Sequence, residues 1–439
     1  MNTYPQGPQS DAHRLRKGDV KTLLLASLGG ALEFYDFVIF VYFAGEIGQR
    51  FFPADTPDWL RLLQAYGLFA AGYLARPLGG VVMAHFGDRR GRKRMFTLSV
   101  FLMALPTLAI GLLPTYAVIG MAAPLVLLML RVLQGIAVGG EVPGAWVFVS
   151  EHVSAARTGL ACGLLTAGLT AGILLGSLLA AALRAGMDEA ALLAWGWRVP
   201  FLIGGVFGFL AVLLRRYLAE TPVFEELRRR KALEQGLPLK RVIREHRRAV
   251  VMSMAMTWML TGAIVVMILM LPTLAQSLFS ADLHGANTLA TLSLTMGCVF
   301  VGLCVDRFGL ARSVVVGALA LAVSSLWLFA ALARGAPAGV LDGLYALTGL
   351  SVGVVGTVPV SMVRAFPAPV RFSGLSLAYN VAYAIFGGLT PLAVSWWAHA
   401  QPYAPAWYVA ALALMAMVLA LAGTLPSTPL SRRVSGIVC

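Results

Sequence analysis

The chain has 439 residues, of which 59% are hydrophobic and only 12% are charged, and its mean hydropathy is +0.80. A soluble domain carries about 25% charged residues, so this composition excludes an ordinary soluble protein and favours a membrane protein. The net charge is +14, but the basic residues stand in short groups between apolar segments, which is typical of membrane topology rather than of nucleic-acid binding.

Twelve segments are apolar and long enough to cross a bilayer as helices, which takes about 20 residues each. The predicted spans, in chain order, are 21–45, 60–86, 94–113, 116–142, 158–184, 196–217, 249–275, 285–305, 312–333, 338–363, 372–398 and 405–425. Basic residues concentrate in every second connection, beginning with the one after the second span. The positive-inside rule therefore predicts that these connections and both termini lie on the cytoplasmic side of a bacterial inner membrane.

The longest connector, 218–248, separates the sixth span from the seventh and is rich in Arg, Lys and Glu. Its amphipathic stretches predict helices along the cytoplasmic membrane surface, with a plain solvated linker as the alternative. The predicted division of the chain is a tail (1–20), a first bundle (21–217), the linker (218–248), a second bundle (249–425) and a tail (426–439).

An internal repeat supports two bundles of six spans each. The loop D-R-R-G-R-K-R, from Asp88 to Arg94, follows the second span, and D-R-F-G-L-A-R, from Asp306 to Arg312, follows the eighth. Asp, Arg, Gly and the final Arg stand at the same offsets in both loops. The repeat predicts an all-α membrane protein with twelve transmembrane helices in two pseudo-symmetric six-helix bundles.

Four charged residues stand out because they lie deep inside predicted spans. Glu33 and Asp36 are three residues apart in the first span, so they share one helix face. Arg76 lies roughly 15 Å from the end of the second span, and Arg131 is central in the fourth. Charges at this depth are costly unless they are paired or face water. These residues are therefore candidates for binding substrate or protons, with purely structural ion pairs as the alternative.

Five motifs carry a resemblance to a known family. The longest is R-P-L-G-G-V-V-M-A-H-F-G-D-R-R-G-R-K-R (Arg76–Arg94), which resembles the loop signature of the major facilitator superfamily. The others are L-E-F-Y-D-F (32–37), R-V-L-Q-G-I-A-V-G-G-E (131–141), W-G-W-R-V-P-F (195–201) and G-L-S-L-A-Y-N-V-A-Y-A-I-F-G-G (374–388). These four resemble segments of its metabolite:proton symporter family, which includes carriers of α-ketoglutarate, citrate, shikimate and proline or betaine. One departure is Arg364, which stands where relatives usually carry an acidic residue.

The resemblance implies a secondary active transporter that imports a small organic acid (a mono-, di- or tricarboxylate) together with protons, by alternating access. An Arg guanidinium can bind a carboxylate through two hydrogen bonds, and a carboxylate beside it can take up and release the proton. We expect Glu33 or Asp36 to carry the proton and Arg131 to bind the anionic group. The expected substrate- or proton-binding residues are Glu33, Tyr35, Asp36, Arg76, Arg131, Gln134, Trp258, Tyr379, Asn380 and Tyr383.

A second set of residues is expected to form a gate at the cytoplasmic mouth. Asp88 can pair with a basic loop residue, or it can accept hydrogen bonds from a helix N-terminus of the other half. The alternative is that the loop charges only set topology. The expected gate residues are Asp88, Arg89, Gly91, Arg92, Glu141, Asp306 and Arg307. For Glu141, near the predicted cytoplasmic end of the fourth span, a packing role is the alternative.

Other functions stay open at this point. A carrier of a zwitterionic or siderophore-like metabolite and an exporter of the same fold are the main alternatives. The sequence has no zinc-protease, phosphate-loop or nucleophile-elbow motif, so an enzyme is not expected. We expect no cofactor and no metal, and the expected partners are a small-molecule substrate, protons and the lipid bilayer. The expected functional unit is a monomer, with no nucleic-acid partner.

Overall fold

The computed structural model describes residues 17–215, 220–229 and 238–426, and over these ranges the secondary structure is helical, without strands. Twelve helices in these ranges are long and apolar enough to cross a membrane, as predicted. They are Thr22–Tyr42 (α1), Gly67–Arg90 (α2), Lys93–Leu112 (α3), Ala122–His152 (α4), Ala155–Gly186 (α5), Glu189–Arg215 (α6), Arg247–Phe279 (α7), Gly285–Phe308 (α8), Leu310–Ala333 (α9), Ala338–Ala365 (α10), Ala368–Ala398 (α11) and Ala404–Leu421 (α12).

The end of α4 differs most from its prediction. The predicted span ends at residue 142, but α4 continues through Pro143 to His152. A transmembrane helix tolerates an internal proline because neighbouring groups can satisfy the freed carbonyl. As a consequence, Glu141 does not lie at the end of the helix, where the prediction placed it. It stands eleven residues before His152, about 16 Å deeper.

The helix pairs repeat between the two halves of the chain. In the first half α1 packs on α5, α2 on α4 and α3 on α6, and in the second half α7 packs on α11, α8 on α10 and α9 on α12. The two bundles meet along α2 against α11 and along α5 against α8. The two D-R-x-G loops lie at the same end of the molecule, which we call the basic end. This arrangement confirms the two pseudo-symmetric six-helix bundles.

Glycine allows α2 and α4 to approach each other closely. A Cβ atom at Gly135 would lie 1.9 Å from the carbonyl oxygen of Gly72, and one at Gly139 would lie 2.1 Å from that of Arg76. Any larger residue at these two positions would push the helices apart, because small residues are what permits backbone contact between membrane helices. The close approach brings Arg76 of α2 and Arg131 of α4 to one cavity.

Two short helices are described in the connector, Pro222–Arg229 and Pro238–Glu245. Each has a buried apolar side chain, Phe224 in the first and Val242 in the second. The second helix packs against the basic ends of α2 and α11 and the start of α7. The remainder of the predicted linker and most of both predicted tails lie outside the described residues.

Candidate functional site

A chain of buried hydrogen bonds joins three helices in the middle of the first bundle. The Nη1 of Arg131 donates to Gln134 Oε1 at 2.7 Å. The amide nitrogen of Gln134 donates to Asp36 Oδ2 at 2.6 Å and to Thr107 Oγ1 at 2.9 Å. All four side chains are at least 95% buried. A cation, an amide and a carboxylate from α4 and α1 therefore form one polar network within apolar surroundings.

The network borders a small cavity. Its walls are formed by nine residues of α1, α2 and α4, which are Asp36, Phe69, Gly72, Tyr73, Arg76, Arg131, Gln134, Gly135 and Val138. The cavity volume is about 30 Å³, which is room for about two water molecules. Within the described residues, Asp36 Oδ1 and Arg131 Nε are buried and have no hydrogen-bond partner. The two charged groups thus each retain an atom able to bind a ligand or a proton.

Aromatic rings surround the second arginine of the cavity. The guanidinium carbon of Arg76 lies 4.6 Å from the ring centroid of Tyr383, 5.4 Å from that of Tyr73 and 5.7 Å from that of Tyr379. Tyr73 and Tyr383 stack across the two bundles, with centroids 5.7 Å apart. Cation–π contacts of this kind are strengthened where water is excluded. The cluster links α2 with α11 beside the cavity.

The structure separates some predicted binding residues from this cavity. The hydroxyl of Tyr35 donates to the carbonyl of Pro200 at 2.8 Å, so this side chain faces α6 although it precedes Asp36. The indole of Trp258 donates to Tyr408 at 2.7 Å and stacks on Phe386, within the second bundle. Neither of these predicted residues lines the cavity.

Glu33 and Asn380 are two further predicted binding residues. Glu33 is within α1, but its side chain lies outside the described residues. Asn380 is fully buried, and its amide donates to the carbonyl of Gly139 at 2.7 Å. This bond joins α11 to α4 and therefore connects the two halves.

Predicted gate residues bridge the halves at the basic end. Asp88 Oδ2 accepts the backbone N–H and the hydroxyl of Ser373, both at 2.9 Å, near the start of α11. Asp306 accepts the backbone N–H groups of Gly159 and Leu160, at 2.7 and 2.9 Å, near the start of α5. Each aspartate of the repeated loop thus holds a helix start of the opposite bundle, where the helix dipole favours negative charge.

The other predicted gate residues are placed differently. Gly91 has φ 119° and provides the turn between α2 and α3. Arg89 and Arg307 are exposed, whereas the side chain of Arg92 lies outside the described residues. Glu141 is bonded to Arg215 and Ser99 inside the first bundle. Its carboxylate therefore contributes to packing within one half, and it does not bridge the halves as a gate residue would.

Sequence reasoning missed several residues of these contacts. Glu151 at the end of α4 forms a buried ion pair with Arg371 at the start of α11, at 2.6 Å. In the sequence, Arg371 belongs to a basic connection and to a short repeat of the motif at Arg157, and neither feature indicates its partner. Arg215 falls within the predicted span 196–217. A charged residue at the border of a predicted span indicates that a partner is needed. The sequence does not show which residue is the partner, because the two are far apart in the chain.

Within the described ranges, no group of three or more His, Cys, Asp or Glu side chains is arranged to hold a metal ion. Twelve membrane helices in two bundles, with buried charges beside a cavity, define the class of a polytopic membrane transporter. The model of the Major Facilitator Superfamily matches residues 26–391, and the chain belongs to this superfamily. The resemblance to its metabolite:proton symporter family is confirmed, and transporters of this class are not enzymes.

Two relatives illustrate the similarity. The glycine betaine/proline/ectoine/pipecolic acid transporter OusA of Dickeya dadantii is 30% identical over 431 residues, covering 94% of this chain and 83% of the relative. The proline/betaine transporter of Salmonella typhimurium is 30% identical over 413 residues, covering 91% of this chain and 82% of the relative.

Solved structures show the same fold. The proton:xylose symporter XylE bound to 6-bromo-6-deoxy-D-glucose has a TM-score of 0.78 at 18% identity, covering 95% of this chain and 98% of that one. An inward open conformation of XylE from E. coli has a TM-score of 0.66 at 17% identity, covering 94% and 99% of the two chains.

Proposed function

We propose that the protein is a symporter that moves a small carboxylate-bearing metabolite together with protons into the cell by alternating access. The observation that carries this proposal is the buried network of Asp36, Gln134 and Arg131 at the cavity wall. A carboxylate and a guanidinium, each with a free atom, supply a proton acceptor and an anion receptor in one place.

The individual roles follow from this chemistry. Asp36 takes up the proton at Oδ1, which has no hydrogen-bond partner among the described residues. Arg131 binds the substrate carboxylate, because guanidinium can form two parallel hydrogen bonds with it. Arg76 adds a second positive charge at the same cavity. The rings of Tyr379 and Tyr383 lie against Arg76 and bring the second bundle next to the cavity.

The names of the relatives favour a zwitterion such as proline or glycine betaine over a simple organic acid. A zwitterion needs a cationic receptor for its carboxylate and an aromatic or acidic surface for its ammonium group. Arg131, the tyrosine rings and Asp36 supply both. A plain organic acid stays the second candidate, because Arg76 and Arg131 outnumber the one described carboxylate at the cavity.

Orientation is part of the same proposal. The basic end faces the cytoplasm, so both termini lie inside and the contacts of Asp88 and Asp306 close the inner mouth. Import then requires that these contacts break as the two bundles rock around the central cavity. The described contacts at the basic end are those of the state with the inner mouth closed.

Reconstitution in proteoliposomes tests the proposal. Glycine betaine, L-proline and α-ketoglutarate are offered with and without an inward proton gradient, and we expect one of them to accumulate only with the gradient. Arg131→Gln should weaken substrate binding by about 1.5–3 kcal/mol, which corresponds to roughly 10- to 150-fold. Asp36→Asn should abolish gradient-driven accumulation yet preserve substrate exchange, because exchange needs no proton release.

Two matched variants serve as controls. Arg184→Gln removes an exposed arginine that pairs with Glu46, and it should leave binding unchanged. Glu33→Gln distinguishes the two acids of α1. Accumulation that survives in both Asp36→Asn and Glu33→Gln would remove α1 as the proton site.

A further inference from the structure

In each hydrogen bond of the Gln134 amide, the chemistry of the partner fixes which group donates and which accepts. Its Oε1 accepts from Arg131, whose guanidinium can only donate. Its nitrogen donates to Asp36, whose ionised carboxylate can only accept. The second N–H points to Thr107, whose hydroxyl hydrogen is already donated to the carbonyl of Met103 at 2.8 Å. The opposite orientation of the amide would place donor against donor, so the side chain has only one satisfactory arrangement.

This arrangement keeps the two charges of the network apart. In the described part of the chain, no ion pair joins Arg131 to Asp36, because Gln134 occupies the space between them. Without the amide, the guanidinium and the carboxylate could meet directly. A direct pair would occupy the carboxylate and the guanidinium together, which would remove the free Oδ1 and Nε atoms from the cavity.

We infer that Gln134 is the positioning residue that couples proton binding to substrate binding, by holding Arg131 and Asp36 at opposite ends of one amide. The inference rests on the proposed function. When the substrate carboxylate binds Arg131, the change in that cation's charge environment is transmitted to Asp36 through Gln134, so protonation and substrate loading depend on each other. Gln134 itself does not take up the proton, and its role is to position the two charged groups.

Among the described side chains, few charged or titratable groups lie around Asp36. Arg131 approaches from α4, and Arg76 and Tyr73 from α2 line the same cavity. Tyr35 precedes Asp36 in α1 and faces α6. The network side chain contributed by α3 is Thr107, which is uncharged. Arg131 is thus the charge most closely linked to Asp36, and the link passes through the amide of Gln134.

Gln134→Leu tests the inference, because leucine has similar size and no polar atom. The direct pair of Arg131 and Asp36 should form, and both the pH dependence of uptake and high-affinity binding should be lost together. The probe is whichever of glycine betaine, L-proline or α-ketoglutarate the unsubstituted protein accumulates. Thr166→Val is the matched control, because it removes a buried threonine hydroxyl of the same bundle whose hydrogen bond goes to the carbonyl of Cys162 in its own helix, outside the network. It should keep the pH dependence of uptake.

Gln134→Glu provides a variant that retains the shape of the side chain. A protonated glutamic acid can accept from Arg131 and donate to Asp36, as the amide does, whereas the ionised form cannot donate at all. Transport should therefore recover at acidic pH and fail at alkaline pH. A purely structural role predicts instead that the two Gln134 variants lose folded protein in parallel and keep the pH profile of the unsubstituted protein.

A substrate-free measurement completes the test. The infrared band of a protonated carboxyl, assigned to Asp36 by its disappearance in Asp36→Asn, is followed against pH in the unsubstituted protein and in Gln134→Leu. We expect the midpoint to differ by roughly one pH unit or more between the two proteins. An unchanged midpoint would overturn the inference, even where transport has confirmed the proposed function. If instead no substrate accumulates with the unsubstituted protein, the proposed function fails. The infrared measurement then tests only whether Gln134 links Arg131 to Asp36.

Discussion

The two contacts between the bundles are built on one plan but carry opposite charge. At the α2–α11 contact, Asp88 holds the start of α11 and Glu151 pairs with Arg371. At the α5–α8 contact, Asp306 holds the start of α5, but the position equivalent to Glu151 is Arg364. Glu151 stands seven positions before the helix start at Thr158, and Arg364 stands seven positions before the helix start at Arg371. The repeat thus preserves the backbone contact and reverses the charge beside it.

The reversal changes the electrostatics of each contact. Asp88, Glu151 and Arg371 sum to one negative charge beside the positive end of a helix dipole, which is favourable. Asp306 instead lies near Arg157 and Arg364. Together these three residues sum to one positive charge at the same kind of helix end. The α2–α11 contact should therefore contribute more to closing the basic end than the α5–α8 contact does. Three substitutions test this difference between the two contacts.

The largest effect is expected for Glu151→Gln. The pair with Arg371 is buried, with 1% and 5% of the two side chains exposed, and removal of one partner of a buried pair costs about 3–5 kcal/mol. The basic end should open, and distances between spin labels at the exposed positions of Arg94 and Arg312 should lengthen. Glu245→Gln, which removes an exposed pair with Arg241, is the control and should change little. A label distance in Glu151→Gln equal to that of the unsubstituted protein would contradict the comparison.

An intermediate effect is expected for Asp88→Asn. The carboxylate accepts two hydrogen bonds from Ser373, and a hydrogen bond to a charged group contributes about 1.5–3 kcal/mol. Transport should slow because conformational exchange changes, whereas equilibrium binding of the substrate should remain. Asp306→Asn, the equivalent change at α5, should act in the same direction with a smaller effect. If Asp88→Asn lost binding but kept its conformational exchange, the gate role would be wrong.

The smallest effect is expected for Arg364→Glu, which restores the charge pattern of the other contact. The new acid can pair with Arg157, so the basic end should stay closed for longer and turnover should fall by a few-fold. The gain should be about 1 kcal/mol or less, because Arg364 is only partly buried. Arg364→Gln separates loss of the positive charge from gain of the negative one. Faster turnover in Arg364→Glu than in Arg364→Gln would show that charge does not set the strength of this contact.

The twelve spans, their order and the division into two halves could be predicted from the sequence. Apolar length and the repeat of D-R-x-G are local properties, and in a membrane they dictate helices because each backbone group must be satisfied within its own segment. Charges such as Asp36 and Arg131 could also be selected as site candidates, because their depth in a span makes them costly without a function.

Tertiary structure alone decided which of these groups meet. Tyr35 and Asp36 are neighbours in sequence, yet the helix turns about 100° per residue and directs them to α6 and to the cavity, respectively. Glu141 pairs with Arg215, 74 residues away, and Glu151 pairs with Arg371, 220 residues away. Such partners depend on helix rotation and on close approach at glycine. A one-dimensional pattern does not contain this information, because the same periodicity fits any rotation until neighbouring helices pack.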